Sequence, residues 1–230
     1  MKLILFDIDN TLVDVLRFQN RAFEKAIKKV FGFKGSLEEL PYFGAAKSVK
    51  ENIRDLCEIH KVKKKEIFEK LEEAANQVEA NLIWELERRE EEVLLPGIEY
   101  LVDRLYWDGN LLGIVTGNSL NAAIEILEEG NIREYFSIFA CGDEALDRVG
   151  LIKLAIERAQ EKVKRQIPKN QIILIGDSKR DIKAGKEVGI KTVAVATGAT
   201  SLKELKEAGP DLLFEDFSNW GKAFSLIKKL

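Results

Sequence analysis

Phe6-Asp7-Ile8-Asp9-Asn10-Thr11-Leu12 is the stretch that decides the fold: an apolar run beginning at Lys2 that ends abruptly in two carboxylates with one residue between them. Carboxylates at the C-terminal end of a strand project into the crevice where open α/β sheets bind ligands. An EF-hand loop also begins Asp-x-Asp, but it requires Gly at its sixth position and Glu at its twelfth. Leu12 and Phe18 stand there instead. The remaining plain reading is an ordinary turn in which one Asp caps the next helix. The rest of the chain bears on that choice.

Outward from this segment, short blocks of Ile, Leu and Val recur at Lys2–Phe6, Leu111–Val115, Ser137–Cys141, Ile172–Ile175, Lys191–Val195 and Leu212–Phe214. A turn and a helical pattern follow each of them: Ile98–Trp107, Leu120–Glu128, Leu151–Lys164, Asp181–Glu187, Leu202–Glu207 and Trp220–Ile227. The alternation predicts a Rossmann-like α/β fold with a parallel sheet covered on both faces. Between Asp14 and Pro96 the rhythm breaks for roughly eighty residues, far beyond an ordinary crossover. Phe18, Ala22, Ala26 and Val30 mark one amphipathic helix there. Val49, Ile53, Leu56 and Ile59 mark a second, and Ile67, Leu71, Ala74, Val78, Leu82 and Leu86 a longer third. The expected organisation is an α/β core over residues 1–14 and 95–230, with an inserted all-helical domain over 15–94. The charge run Arg88-Arg89-Glu90-Glu91-Glu92 reads as a solvated helix face, and the third helix's apolar stripe is a candidate dimer contact.

Composition narrows the function. Of 230 residues, 46% are hydrophobic and 33% charged, which is a globular composition richer in charge than the roughly 25% usual for such domains. The net charge of −3, from 36 Lys and Arg against 39 Asp and Glu, offers no basic field for a nucleic acid backbone. Asp7 and Asp9 interrupt the N-terminal apolar run, which argues against a signal peptide, and no later run has membrane-spanning length. A cytoplasmic protein, monomer or homodimer, is expected. Cys57 and Cys141 lack metal or disulfide spacing and read as reduced structural residues. His60 is the sole histidine and is assigned to a helix end or surface.

Two further strand ends carry polar groups. Leu111–Val115 runs into Thr116-Gly117-Asn118-Ser119, a hydroxyl with backbone N–H groups just before a helix, which suits a phosphate and equally a plain turn and N-cap. Ile172–Ile175 enters Gly176-Asp177-Ser178-Lys179-Arg180-Asp181, placing Asp177 in the loop and Asp181 in the first helical turn, on one side. Asp181 alone would also serve as a helix cap.

Taken together, these segments resemble the haloacid dehalogenase superfamily across nearly the whole chain. Asp7, Asp9 and Thr11 fill its Asp-x-Asp-x-Thr motif, Thr116 its second, and Asp177 and Asp181 its acidic loop. The run Ala184–Val195 with Thr197-Gly198 looks like the family's usual continuation. The insertion is similar to the helical C1 cap of the phosphoglycolate phosphatase-like branch. That branch usually shows Lys-Pro after the third strand, and no Lys-Pro occurs here. Arg148, just ahead of the helix beginning near Leu151, is the preferred cation, with Lys153, one turn inside it, as the second candidate.

The resemblance implies Mg²⁺-dependent hydrolysis of a small phosphate monoester through an aspartyl-phosphate. Asp7 would be the nucleophile and a metal ligand, with Asp177 and the Asp9 backbone carbonyl as further ligands and Asp181 acting directly or through a metal-bound water. The Asp9 side chain would be general acid and then base, while Thr116, Gly117, Asn118 and Arg148 would hold phosphoryl oxygens. Dehalogenases of the superfamily lack an acid at the Asp9 position, so that chemistry is disfavoured. A phosphomutase, or a non-catalytic binding protein of the same fold, is the rival reading. The segment Pro41–Lys47 aligns with the cap loop that reads the leaving group, with Lys47 the candidate contact and Arg17 and Arg21 weaker ones.

Overall fold

The computed structural model describes residues 1–34, 47–90, 92–145 and 147–230. Six strands form one parallel sheet: β1 (Leu3–Phe6), β2 (Leu111–Thr116), β3 (Phe136–Cys141), β4 (Ile172–Gly176), β5 (Lys191–Val195) and β6 (Leu212–Phe214). Their order is β3-β2-β1-β4-β5-β6. The order reverses at β1, so the crevice at the sheet's switch point opens at the C-terminal ends of β1 and β4. The helices are α1 (Leu16–Phe31), α2 (Val49–Ile59), α3 (Lys64–Glu87), α4 (Ile98–Trp107), α5 (Leu120–Glu129), α6 (Arg148–Val163), α7 (Lys179–Val188), α8 (Leu202–Ala208) and α9 (Trp220–Ile227). None is long and apolar enough to cross a membrane.

Every residue of β1 is fully buried, and successive side chains enter opposite cores, as the two-residue period of a strand requires. Ile4 and Phe6 pack with the layer of α4, α5 and α9, while Leu3 and Leu5 pack with that of α6 and α7. Gly113 on β2 keeps the second layer closed, because a Cβ there would lie 2.9 Å from both Ile138 and Leu5. On the other face Phe6 meets Phe136 edge-on, with ring centroids 5.8 Å apart.

The helices α1 to α3 pack on one another between β1 and α4 in the chain. The two passages linking them to the sheet run side by side: Val13 bridges Leu94 antiparallel, Asp14 N–H donates to the Val93 carbonyl at 2.8 Å, and Leu95 N–H to that of Leu12 at 2.9 Å. Gly97 then turns the chain into α4 at φ +79°, with its Cα against the Phe217 carbonyl, where a Cβ would stand 1.9 Å away. Glu85, buried in α3, takes Arg21 at 2.9 Å and Lys25 at 2.5 Å and ties α1 to α3. The capping box of α2, Ser48 with Glu51, fixes where that helix starts.

Three expectations change. The α3 stripe is buried against α1 and α2, so it offers no dimer surface. Arg89 is not part of a solvated face: its guanidinium pairs with the Glu129 carboxylate and donates to the Glu129 carbonyl at 2.9 Å, pinning the end of α3 to α5. The sixth helix begins at Arg148 rather than near Leu151, because Asp147 caps it by accepting from Gly150 N–H at 2.8 Å. His60 is the C-cap residue of α2, its ring 4.1 Å from that of Phe33. Residues 41–46 of the expected cap loop, and Glu91, lie outside the described residues.

Replacing Phe136 with Ala removes a fully buried ring that packs on Phe6 and is expected to cost about 3–5 kcal/mol in urea-unfolding free energy. Trp107→Ala, at a 72% exposed position, is expected to stay within about 0.5 kcal/mol of the parent.

Candidate active site

Asp7 lies one residue beyond β1, its N–H donating to the Ile175 carbonyl of β4 at 2.9 Å, which fixes it at the switch point. The next residues turn sharply. Asn10 adopts a left-handed conformation (φ +56°), which Asn tolerates better than most residues, and its N–H donates to the Val13 carbonyl at 2.8 Å. The Thr197 hydroxyl donates to the Asn10 carbonyl and anchors this loop to the one after β5. α1 starts only after Val15, which offers no side-chain cap, so neither Asp7 nor Asp9 is spent as a helix cap.

Asp177 follows β4, and Asp181 sits in the first turn of α7, whose N-cap is Ser178 and not Asp181. The Ser178 hydroxyl accepts from Asp181 N–H at 3.2 Å and lies 2.5 Å from Asp181 Oδ2. Asp7, Asp177 and Asp181, all buried, each place a carboxylate oxygen within 4.8 Å of the others. Two glycines make room. A Cβ on Gly176 would stand 2.5 Å from Asp181 Cγ, and one on Gly198 would stand 1.7 Å from Asp177 Oδ2.

Arg148, the first residue of α6, enters this cluster from the side. Its Nη2 lies 2.9 Å from Asp7 Oδ1 and 2.5 Å from Asp181 Oδ1, and its Nε donates to Asp181 Oδ1 at 2.8 Å. Burial is the largest influence on its ionisation and opposes the charge, but the two carboxylates outweigh it and hold the guanidinium protonated. Lys153 is exposed, five residues further along α6, and does not join the cluster. Between the two candidate cations, Arg148 is the one that meets the carboxylates.

Loss of solvent dominates the acids. Burial pushes Asp7 up to about 7, with Arg148 opposing and the charges of Asp181 and Asp9 adding to the rise. Burial also raises Asp177 to about 9, reinforced by Asp7 and Asp181. One guanidinium does not neutralise three clustered carboxylates, and Asp177 Oδ2 is buried without a hydrogen-bond partner. An all-oxygen donor set with excess negative charge and an unsatisfied oxygen fits a hard divalent cation such as Mg²⁺.

Asp9 is held differently. Gln19 Nε2 donates to its Oδ1 at 2.6 Å and Asn118 Nδ2 to its Oδ2 at 2.8 Å. Burial raises its carboxyl to about 6 against the pull of those two amides. Gln19, on α1, escaped the sequence reading; its signal is a polar residue on a helix face that otherwise buries Phe18, Ala22 and Phe23. Asn118 proves to use its side chain on Asp9 and on Thr116 Oγ1, at 3.1 Å, and its N–H also reaches Thr116 Oγ1 at 3.2 Å. Ser119 caps α5, so the loop is both an N-cap and a lining of the site.

Gly117 takes the weight of the helical insertion. Its carbonyl accepts from Val49 N–H at 3.4 Å, and a Cβ would stand 2.1 Å from the Lys47 carbonyl. The Lys47 side chain turns away to pair with Asp55, and so does not meet the carboxylate cluster. Arg21 is engaged with Glu85, and Arg17 lies over the Phe18 ring. Cys57 and Cys141 are free and buried, with thiols pushed up to about 12, and play no part in the acid cluster.

Residues 4–195 match the haloacid dehalogenase-like hydrolase family, and the chain belongs to it. It is an enzyme of that family by the same evidence. Among curated proteins it is 24% identical over 229 residues to a phosphoglycolate phosphatase of Vibrio parahaemolyticus, covering 95% of this chain and 93% of that one. It is 25% identical over 218 residues to another of that name from Aliivibrio fischeri, covering 94% and 93%. Among solved structures, CbbY from Rhodobacter sphaeroides in complex with phosphate superposes with a TM-score of 0.79 at 21% identity, covering 96% of each chain.

Arg148→Ala leaves buried carboxylates facing one another without their guanidinium and is expected to cost about 3–5 kcal/mol of thermal or urea stability in EDTA. Lys153→Ala should change it by no more than about 0.5 kcal/mol.

Proposed function

We propose that this protein is a Mg²⁺-dependent phosphatase that hydrolyses a small phosphate monoester through a covalent aspartyl-phosphate on Asp7. The observation that carries the reading is the convergence of Asp7, Asp177, Asp181 and Arg148 at the switch point of the sheet. Residues 15–94 act as a cap over a core formed by 1–14 and 95–230. The names of the curated relatives support phosphatase chemistry and make phosphoglycolate the first comparison substrate.

Uncatalysed phosphate monoester hydrolysis is slow enough to need a barrier reduction on the order of 20 kcal/mol. Most of that must come from positioning and neutralised charge. A phosphate charge 4 Å from a carboxylate is opposed by about 4 kcal/mol at an effective dielectric near 20. Arg148 offsets part of this from one side, and its Nη1 is buried without a hydrogen-bond partner, free for a phosphoryl oxygen. Asp7, Asp177, Asp181 and the Asp9 carbonyl would hold Mg²⁺, which when bound supplies charge neutralisation at the phosphoryl oxygens.

In the first half-reaction an Asp7 oxygen bonds to phosphorus as the ester P–O bond breaks, and the Asp9 carboxyl gives its proton to the departing alkoxide. In the second, water attacks the same phosphorus, the Asp7 O–P bond breaks, and Asp9 takes back a proton from that water. A carboxyl raised to about 6 is poised for both directions near neutral pH. Thr116, with the amides of Gly117 and Asn118, would donate to the phosphoryl oxygens.

With p-nitrophenyl phosphate and Mg²⁺, Asp7→Asn is expected to abolish turnover while leaving the circular dichroism and unfolding curve folded. Asp9→Asn is expected to lower kcat by a factor on the order of 10² or more; an Asp7→Asn protein of normal rate refutes the nucleophile. Asp177→Asn is expected to weaken Mg²⁺ binding at least about tenfold by calorimetry, and EDTA to stop phosphate release by the parent until Mg²⁺ is restored.

A further inference from the structure

Beyond Asp9 the site opens into a cavity of about 360 Å³ between the helical insertion and the loops after β2 and β3. Gln19 and Asn118, the two amides that hold the Asp9 carboxylate, are among the residues that line it. An alcohol that takes its proton from Asp9 therefore departs into this space. On the proposed phosphatase reading, the walls of the cavity describe the leaving group.

The space is too large for a two-carbon acid. Glycolate has five non-hydrogen atoms, which at a water's share of about 30 Å³ each fill at most roughly 150 Å³. The cavity falls instead in the range of about 300–1,000 Å³ that encloses larger organic ligands.

Its charge is also wrong for an anion. Lys50 is the only cation among the described residues that line it, and that ammonium is already committed to Glu72 at 2.6 Å. The stretches outside the described residues contain no Lys, Arg or His. Against this one paired cation stand three lining carboxylates. Glu144 is neutralised from outside by Arg158 at 2.6 Å. Glu79 is held by neutral donors only, the Ser119 hydroxyl and Asn121 Nδ2. Phe23, Val78 and Leu82 give the cavity an apolar share of its wall.

We propose that the physiological ester carries an uncharged alcohol of roughly a dozen non-hydrogen atoms, the size of a hexose. One apolar face of it lies on Phe23, Val78 and Leu82, and its hydroxyl or amine donors are turned towards Glu79 and Asn76. Carboxylated and phosphorylated leaving groups are selected against.

Phosphate release by the full chain with Mg²⁺ tests this across p-nitrophenyl phosphate, a nucleoside 5′-monophosphate, a hexose 6-phosphate, phosphoglycolate and inorganic pyrophosphate. The expected result is a kcat/KM for the best uncharged-alcohol ester at least tenfold above that for phosphoglycolate or pyrophosphate. Asn76→Lys, which adds a cation to the wall, is expected to narrow that ratio several-fold by raising the phosphoglycolate value. Turnover of p-nitrophenyl phosphate with phosphoglycolate or pyrophosphate the fastest natural substrate overturns the leaving-group assignment alone. If Arg54→Ala then removes the preference, the leaving group lies instead in the neighbouring hollow of about 290 Å³ that Arg54 and Arg148 line. Absence of turnover with every ester, p-nitrophenyl phosphate included, overturns the phosphatase reading and this assignment with it.

Discussion

Like charges held together away from water are the constraint around which this molecule is arranged. Asp7, Asp177 and Asp181 bring oxygens within 4.8 Å of one another at positions almost closed to solvent, where burial first, and then the neighbouring carboxylates, raise the first two far above ordinary carboxylates. Such a cluster persists only because rigid elements over-determine it. β1 and β4 are paired residue by residue up to Phe6 and Ile175, so the two loops that follow must leave the sheet side by side. Gly176 and Gly198 then let backbone approach the carboxylates more closely than any Cβ allows. Arg148 enters from a third element, and its guanidinium joins Asp7 to Asp181. Stability contributed by the apolar layers is thus spent at one edge, where function requires unfavourable charge density.

What could be read from the chain alone divides along the same line. The unbroken apolar blocks marked the strands and their parallel arrangement, since burial on both faces leaves no polar alternation. The three apolar stripes between Asp14 and Pro96 marked the helices of the insertion, because a 3.6-residue period is written locally. Asp7, Thr116 and Asp177 were legible because each closes or follows a strand, whose end is visible in sequence, and Asp181 because it lies four residues on, in the first turn of the next helix. Partner identity was not. That Lys47 pairs with Asp55, that Arg89 pairs with Glu129, and that Arg148 and not Lys153 reaches the carboxylates depend on where helices lie in space. The helix start at Arg148 escaped for a smaller reason: Asp147 was passed over as a cap, which moved the expected boundary by three residues.

Gln19 is the instructive omission, because its function exists only in the folded molecule. It lies ten residues from Asp9 on a helix of the insertion, whereas Asn118 lies on a loop of the sheet. Each donates to a different oxygen of the same carboxylate, and each opposes the rise that burial imposes on it. The acid strength of Asp9 is therefore a joint property of the insertion and the sheet, set by their juxtaposition and by neither part separately.

The same juxtaposition links proton donation to the choice of leaving group. The Lys47 carbonyl rests on Gly117, Val49 N–H bonds to the Gly117 carbonyl, and Glu79 reaches across from α3 to Ser119 and Asn121. These contacts seat the insertion on the loop after β2, which carries Asn118 and follows directly on Thr116. A bound alcohol that fills the space between Phe23, Val78 and Glu79 touches the elements that present Gln19 and Asn118 to Asp9. On the proposed phosphatase reading, contacts remote from phosphorus would act on the geometry of Asp9, which is how binding energy from a non-reacting part of a substrate is turned into rate.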